Sequence, residues 1–163
     1  VLLDYALTDS VSLETNVGYV RRDYRFSDRG SFSGRVWRAA VKWSPSSAWQ
    51  LAFDRSHDIK AHLDAESDHF LATGESLSVL WLPLAELRLG LKATREEQHY
   101  IGTELLSGPA RQDEPLTGAF VLTYAPRERA SFEFAAQREE RASTNERFDY
   151  AASAVSVAAE IRF

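Results

Sequence analysis

Apolar and polar residues alternate along this chain with a period of two. Between Glu86 and Thr94, Leu87, Leu89, Leu91 and Ala93 fall on one side and Arg88, Gly90, Lys92 and Thr94 on the other. In the same way Val11, Leu13, Thr15, Val17 and Tyr19 oppose Ser12, Glu14, Asn16, Gly18 and Arg22. Trp37, Ala39, Val41 and Trp43 oppose Arg38, Ala40 and Lys42, and Trp49, Leu51 and Phe53 oppose Gln50, Ala52 and Asp54. Leu77, Val79 and Trp81 oppose Ser76 and Ser78; Leu116, Phe120, Leu122 and Tyr124 oppose Thr117, Ala119 and Thr123. Phe132, Phe134 and Ala136 oppose Ser131, Glu133 and Gln137, and at the end Val155, Val157, Ala159, Ile161 and Phe163 oppose Ala154, Ser156, Glu160 and Arg162. A pleated strand with one apolar face imposes this period.

With Val1–Leu7 added, the pattern predicts roughly nine strands, most about 10–14 residues long. Strands in soluble domains average about 5–6 residues, whereas a tilted strand needs about 9–11 to cross a bilayer. The connections alternate too. Short turns are predicted at Thr8–Ser10, Ser44–Ser47, Pro83–Ala85 and Pro126–Arg129, and longer polar stretches at Phe26–Phe32, Asp58–Asp68, Gln98–Gln112 and Ala142–Asp149. Short turns at one end and long charged loops at the other are the arrangement of an outer-membrane barrel. The expected fold is therefore all-β, an antiparallel up-and-down transmembrane β-barrel, with residues 1–163 as one barrel region. Nine is odd, and single-chain bacterial barrels have an even strand count. At least one further strand is thus expected upstream of Val1, making this the C-terminal part of a larger barrel.

Two other folds fit part of the pattern. A soluble β-sandwich also alternates, but it accounts neither for the strand length nor for the short–long connections. The segments 134–141 and 151–160 are rich in Ala, Glu and Arg, which favour helix.

The aromatic residues sit at strand ends. Trp43, Trp49, Trp81, Tyr124, Phe132 and Phe163 lie beside a short turn or the C-terminus and share the apolar side. Tyr19, Tyr24, Phe26, Phe32, Phe70, Tyr100, Phe148 and Tyr150 gather near the long stretches. Two such belts are what interfacial aromatics form at the two headgroup levels of a membrane.

The C-terminal run Val155, Val157, Ala159, Ile161 and Phe163 resembles the terminal signal of outer-membrane barrels, although Ala159 is small for that pattern. The resemblance implies recognition by the barrel-assembly machinery through the Phe163 segment. The hairpins LETNVGYVRRDYRF, WQLAFDRSHD, LRLGLKATREEQHY and ASFEFAAQREERAS each run from apolar alternation into charge. In this the chain resembles the β-barrel porins associated with exopolysaccharide operons (EpsL-like proteins). That resemblance implies a part in secreting or assembling an extracellular polysaccharide, with polysaccharide and envelope export proteins as partners.

Composition changes this picture little. Mean hydropathy is −0.33 and no run of about 18 apolar residues occurs, which excludes a transmembrane helix but not a barrel. Net charge is −5, which argues against a nucleic-acid partner. There is no Cys, so disulfides and thiolate metal sites are impossible. There is no Met and no leader-like segment, so Val1 is not expected to be the native start.

The polar sides of the strands supply the candidate functional residues. Glu14, Arg22, Arg38, Lys42, Asp54, Glu86, Arg88, Lys92, Glu133, Glu160 and Arg162 are expected to face a lumen, because charge on the lipid face at mid-depth costs about 2–4 kcal/mol for Arg or Lys. They could line a hydrated passage or simply pair across strands and fill the wall. Neither sign dominates, so strong ion selectivity is not expected. His57, His62, His69 and His99, with Asp54, Asp58, Asp64, Glu66 and Asp68 nearby, could serve hydrolysis or hold a metal at the rim. Their spacing matches no catalytic motif, and no phosphate-binding glycine pattern is present. The expectation is a barrel in bacterial outer-membrane lipid, its C-terminus periplasmic, with no enzymatic activity and no cofactor. The alternative function is a structural or adhesive barrel with a plugged lumen.

Overall fold

The computed structural model describes the backbone of residues 1–22, 32–64, 67–101, 111–127 and 130–161, and side chains within 1–21, 33–60, 69–101, 111–126 and 130–161. Nine strands are formed: β1 (Leu2–Thr8), β2 (Val11–Arg22), β3 (Phe32–Ser46), β4 (Trp49–Asp64), β5 (Ser67–Leu84), β6 (Leu87–Ile101), β7 (Gln112–Arg127), β8 (Ala130–Ser143) and β9 (Tyr150–Ile161). One turn of 3-10 helix (Glu146–Phe148) lies between β8 and β9. Each strand pairs antiparallel with the next, in the order β1 to β9. The sheet is thus an all-β meander without crossovers, and no pairing among the described residues joins β1 to β9. The segments with helical composition, 134–141 and 151–160, are β8 and β9. Propensity gave way there to the cross-strand ladder, as it does wherever pairing is extensive.

The short turns are fixed locally. The Thr8 hydroxyl accepts the amides of Ser10 and Val11 at 3.2 and 3.1 Å, closing the β1–β2 turn. The Ser46 hydroxyl accepts the Ala48 amide at 3.3 Å between β3 and β4. Pro45, Pro83 and Pro126 each stand beside a short turn, at the places where the register shifts. A residue without an N–H is tolerated there because the ladder is already interrupted.

Between the turns the register carries the alternation across the whole sheet. One cross-strand row runs Leu13, Val41, Phe53, Leu77, Ala93, and the next runs Glu14, Ala40, Asp54, Ser76, Thr94. Toward the short turns most apolar residues therefore share one face, and the charged residues lie on the other. The apolar face is bare. Phe53 is 45% exposed, Leu91 55% and Val157 78%, while the buried apolar residues are few: Ala40, Ile59, Phe70, Ala72 and Tyr100. A sandwich would cover that face with a second sheet, and all nine strands belong to a single sheet.

The strands run longer than the composition indicated. Asp58–Asp68 is mostly strand, with β4 reaching Asp64 and β5 starting at Ser67, and β6 continues to Ile101 through residues expected to be loop. In these extensions apolar residues no longer keep to one side, with Ile59 and Leu71 on the apolar face but Phe70, Ala72 and Tyr100 on the polar one, so the binary pattern is lost while backbone pairing continues. The expected loop 26–32 lies almost wholly outside the described residues.

Ser78 sits mid-β5, opposite Ala52 on one side and Lys92 on the other. A Ser78→Pro substitution removes a ladder donor inside a strand paired on both sides. It is expected to abolish the folded form, read as loss of the heat-sensitive mobility shift on detergent gels.

Candidate functional site

The polar face is the candidate site, and its side chains fall into a basal and an upper tier. In the basal tier, toward the short turns, the register sets Glu14, Arg38, Lys42, Asp54, Arg88, Lys92, Glu133 and Glu160 on this face. Arg22 has no described side chain, Arg162 lies outside the described residues, and Glu86 belongs to the β5–β6 turn. Lys42 pairs with Glu14 at 3.2 Å, and the Arg38 guanidinium pairs with Asp54. Arg88 and Lys92 make no ion pair or hydrogen bond among the described residues. They are successive inward positions on β6 apart from Gly90, and their neighbours across the strands include Ser78, Ala119 and Thr123. A cavity of about 810 Å³ opens between β1 and β7, lined by Ser12, Lys42, Gln50, Ser78, Gly90 and Lys92 among others.

The upper tier, toward the opposite end of the strands, is denser. Asp113 at the start of β7 is fully buried. It accepts from Arg111 Nε at 2.9 Å and lies 3.8 Å from the Arg141 guanidinium of β8. Arg111 itself is held between two rings, 4.2 Å above Tyr100 and 3.4 Å from Phe148 of the 3-10 turn. Such cation–ring contacts are strongest when desolvated. Tyr100 packs on Phe70, with ring centroids 5.0 Å apart, and donates to Gln98 Oε1 at 2.9 Å. Gln98 in turn donates to Glu96, which pairs with Lys60 at 2.7 Å. Beside this chain the Tyr150 hydroxyl donates to Glu139, and Arg141 covers the Tyr150 ring at 4.8 Å. The cluster thus ties β4, β5, β6, β7, β8 and the β8–β9 connection together on one face.

At this level the opposite face carries His99, Gln112 and Glu114 on β6 and β7, so that part of the cluster stands beyond the apolar band, while β4 and β5 still present Ile59 and Leu71 there. Burial works to raise the Asp113 pKa, but hydrogen bonds from Arg111 and Ser143 and the charges of Arg111 and Arg141 outweigh it. The carboxyl is held below the ordinary carboxylate range. Burial, with the Asp113 charge, pushes the Tyr100 hydroxyl up.

The expected upper aromatic belt is corrected here. Phe70 and Tyr100 point to the polar face and are buried, Tyr150 joins the same face, and Phe148 is pinned under Arg111. Their rings cover cations, not lipid. Tyr19 does face the apolar side, donating to the Ser33 hydroxyl at 2.9 Å, while Tyr24, Phe26 and the Phe32 side chain lie outside what is described. At the short-turn end Trp43, Trp49, Trp81, Tyr124 and Phe132 all share the apolar face and are exposed, with Trp49 and Trp81 stacked at 5.3 Å. Phe163 lies outside the described residues.

The histidines do not assemble with the acids. His57, His69 and His99 point to the apolar side, His57 sharing a hydrogen bond with Thr73 at 3.0 Å, while Asp54 and Asp58 point to the other. Strand parity separates neighbours that looked adjacent in sequence. The His62, Asp64 and Asp68 side chains and Glu66 are not described. What sequence reading missed is the upper cluster of Lys60, Glu96, Gln98, Tyr100, Arg111, Asp113, Glu139 and Arg141. The recoverable signal was parity: Glu96, Gln98 and Tyr100 continue the inward positions of Arg88 and Lys92.

The family model described as "Putative beta-barrel porin 2" matches residues 3–163, and the chain belongs to that β-barrel porin family. No curated protein and no solved structure matches it.

Removing Asp113 leaves two arginines without their shared carboxylate. Asp113→Ala is expected to cost about 3 kcal/mol, at the low end for breaking a buried ion pair, measured by urea unfolding of the bilayer-reconstituted protein. Because the folded-state pKa of Asp113 is lowered, its contribution is complete above the ordinary carboxylate range and is lost as pH falls through the lowered value. The wild-type and Asp113→Ala curves are therefore expected to converge only at pH values below the ordinary carboxylate range.

Proposed function

We propose, with membership of the β-barrel porin family as the premise, that this chain forms part of the wall of an outer-membrane channel. The apolar face meets lipid, and the polar face, with Glu14, Arg22, Arg38, Lys42, Asp54, Arg88, Lys92, Glu133, Glu160 and Arg162, lines the lumen. The supporting observation is that, in the half of the strands nearer the short turns, one face is apolar and bare while the other carries the charged side chains. Only a bilayer on one side and water on the other satisfies both faces at once. Hydrated solute passes without catalysis or cofactor. The charged and hydroxylated wall suits a polar saccharide, in keeping with the resemblance to exopolysaccharide-associated porins. In this reading the short turns and the C-terminus are periplasmic, and β9, with Val155, Val157, Ala159 and Ile161 on its apolar side, is the segment offered to the barrel-assembly machinery.

A second reading has its own observation. The upper cluster draws the β8–β9 connection onto the polar face through Phe148 and Arg111, which narrows that end and suits a plugged structural barrel.

Planar-bilayer recording on the full chain separates the two: the channel reading expects discrete conductance steps, and a silent bilayer would favour the plugged barrel. Arg88 and Lys92 are unpaired among the described residues, and so are the carboxylates of Asp4 and Glu133 on the same face, so little preference between anions and cations is expected of the wild type. The double variant R88Q/K92Q is expected to lower the anion-to-cation permeability ratio about two-fold, read from reversal potentials.

A further inference from the structure

The apolar face does not stay apolar to the ends of the strands, and the place where it stops forms a line. Moving away from the short turns, the first charged residue on that face is Arg21 on β2, Arg35 on β3, Arg55 on β4, Glu75 on β5, Arg95 on β6, Glu114 on β7 and Arg138 on β8. Beyond it charge continues on β6 and β8, with Glu97 and Glu140 at the next positions, whereas β4 and β5 carry His57 with Ile59 and Thr73 with Leu71.

That line is tilted relative to the hydrogen-bonded rows. One row of paired residues runs Thr15, Ala39, Arg55, Glu75, Arg95, Leu116 and Glu140. The first charge stands at Arg21, well beyond Thr15, on β2; at Arg35, less far beyond Ala39, on β3; on the row itself from β4 to β6; and at Arg138, short of Glu140, on β8. Only Glu114 on β7 steps the other way. The descent averages about one residue per strand. With a rise of ~3.3 Å per residue and strands ~4.8 Å apart, this is a slope of roughly 35–40°. Barrel strands tilt by about that angle, so a line crossing the rows at this slope is level in the membrane frame. The short turns descend in parallel: Val11 of β2 pairs with Trp43, whereas the corresponding row meets β8 at Ala136, further inside the strand that starts at Ala130.

We propose that this line, from Arg21 to Arg138, is the headgroup-contact belt of the leaflet on the long-loop side, and that its occupant is the phosphate-bearing headgroup layer of the lipid. The inference rests on the membrane reading above and adds a position and a chemistry to it. Arg35 and Arg55 make no ion pair or hydrogen bond among the described residues, although Glu75 lies directly across from Arg55. Arg95 and Arg138 pair with Glu114 and Glu140. Free guanidinium groups immediately beyond an apolar band suit lipid phosphate, which they bind through paired N–H donors. The line holds five arginines against two glutamates, an excess of positive charge that suits a phosphate-bearing layer. Everything past the belt, including Lys60, Phe70, Tyr100 and Asp113, then stands outside the hydrocarbon as a β-crown. From Arg55 to Asp64 of β4 the crown rises about 23 Å, given ~3.3 Å per residue and a tilt near 40°.

The chain contains no Cys, so single nitroxide labels can be placed without background. Labels at Phe53→Cys, Arg55→Cys, Leu77→Cys and Glu75→Cys are compared in the full chain, reconstituted into vesicles of phosphatidylethanolamine and phosphatidylglycerol. The expected result is preferential oxygen collision at 53 and 77 and preferential nickel-chelate collision at 55 and 75, a reversal across one outward step. Oxygen preference persisting at 55 and 75 would overturn the belt while leaving the membrane reading intact. Nickel preference at all four positions would overturn the membrane reading itself. The phosphate assignment has its own arm: R35Q/R55Q is expected to reduce phosphatidylglycerol retained through detergent exchange at least two-fold, with the same gel mobility shift as wild type. Unchanged retention would remove phosphate as the occupant.

Discussion

Everything in this molecule depends on the register of its hydrogen-bond ladder. In a strand the side chains alternate faces, so a slip of one residue would carry every apolar side chain to the polar face. The ladders hold a constant register through the strand interiors, and the shifts occur beside the turns, between Trp43 and Ser46, Trp81 and Leu84, and Tyr124 and Arg127. At those places a proline or a small residue absorbs the irregularity. Pro115 is the exception within a strand, and the β6–β7 pairing skips it, running from Leu116 to Asp113.

Parity alone would leave the two faces chemically uniform from end to end, yet they are zoned. The polar face begins with separated ion pairs and two unpaired cations, then closes into a dense ionic and aromatic cluster. The apolar face begins with stacked tryptophans and ends at a line of arginines and glutamates. Both transitions fall in the same part of β4 to β8. This coincidence has a physical basis. On the proposed placement lipid no longer covers the outside there, so the strands lose their apolar solvent and need another source of rigidity. A buried carboxylate shared by two arginines, with rings over the cations, provides it from the inner side.

The nine strands, their antiparallel order, the apolar and polar sets and the basal tryptophans could all be read from alternation and spacing. The extensions of β4, β5 and β6 could not, because there apolar residues no longer keep to one face, Phe70, Ala72 and Tyr100 being opposite in parity to Ile59 and Leu71. Lys60 and Gln98 fall in expected connections for that reason, and Phe70 and Tyr100 in an expected aromatic belt. An aromatic at a strand end can serve lipid or cover an arginine, and its identity does not distinguish the two. The same ambiguity placed His57 near Asp54 and Asp58 in sequence, while parity put them on opposite sides of the sheet.

The sequence by itself determined the local quantities: period, strand count, which residues share a face, and where tight turns interrupt the ladder. Each depends on neighbours one or two positions apart, and pleat geometry converts them directly into structure. Only the tertiary structure decided which charges are paired. The partners of Asp113 include Arg141, two strands' worth of chain away from Arg111, and the solitude of Arg88 and Lys92 depends on what stands across from them on β5 and β7. The slope of the charge line likewise exists only once seven strands are in register, since no single strand carries it.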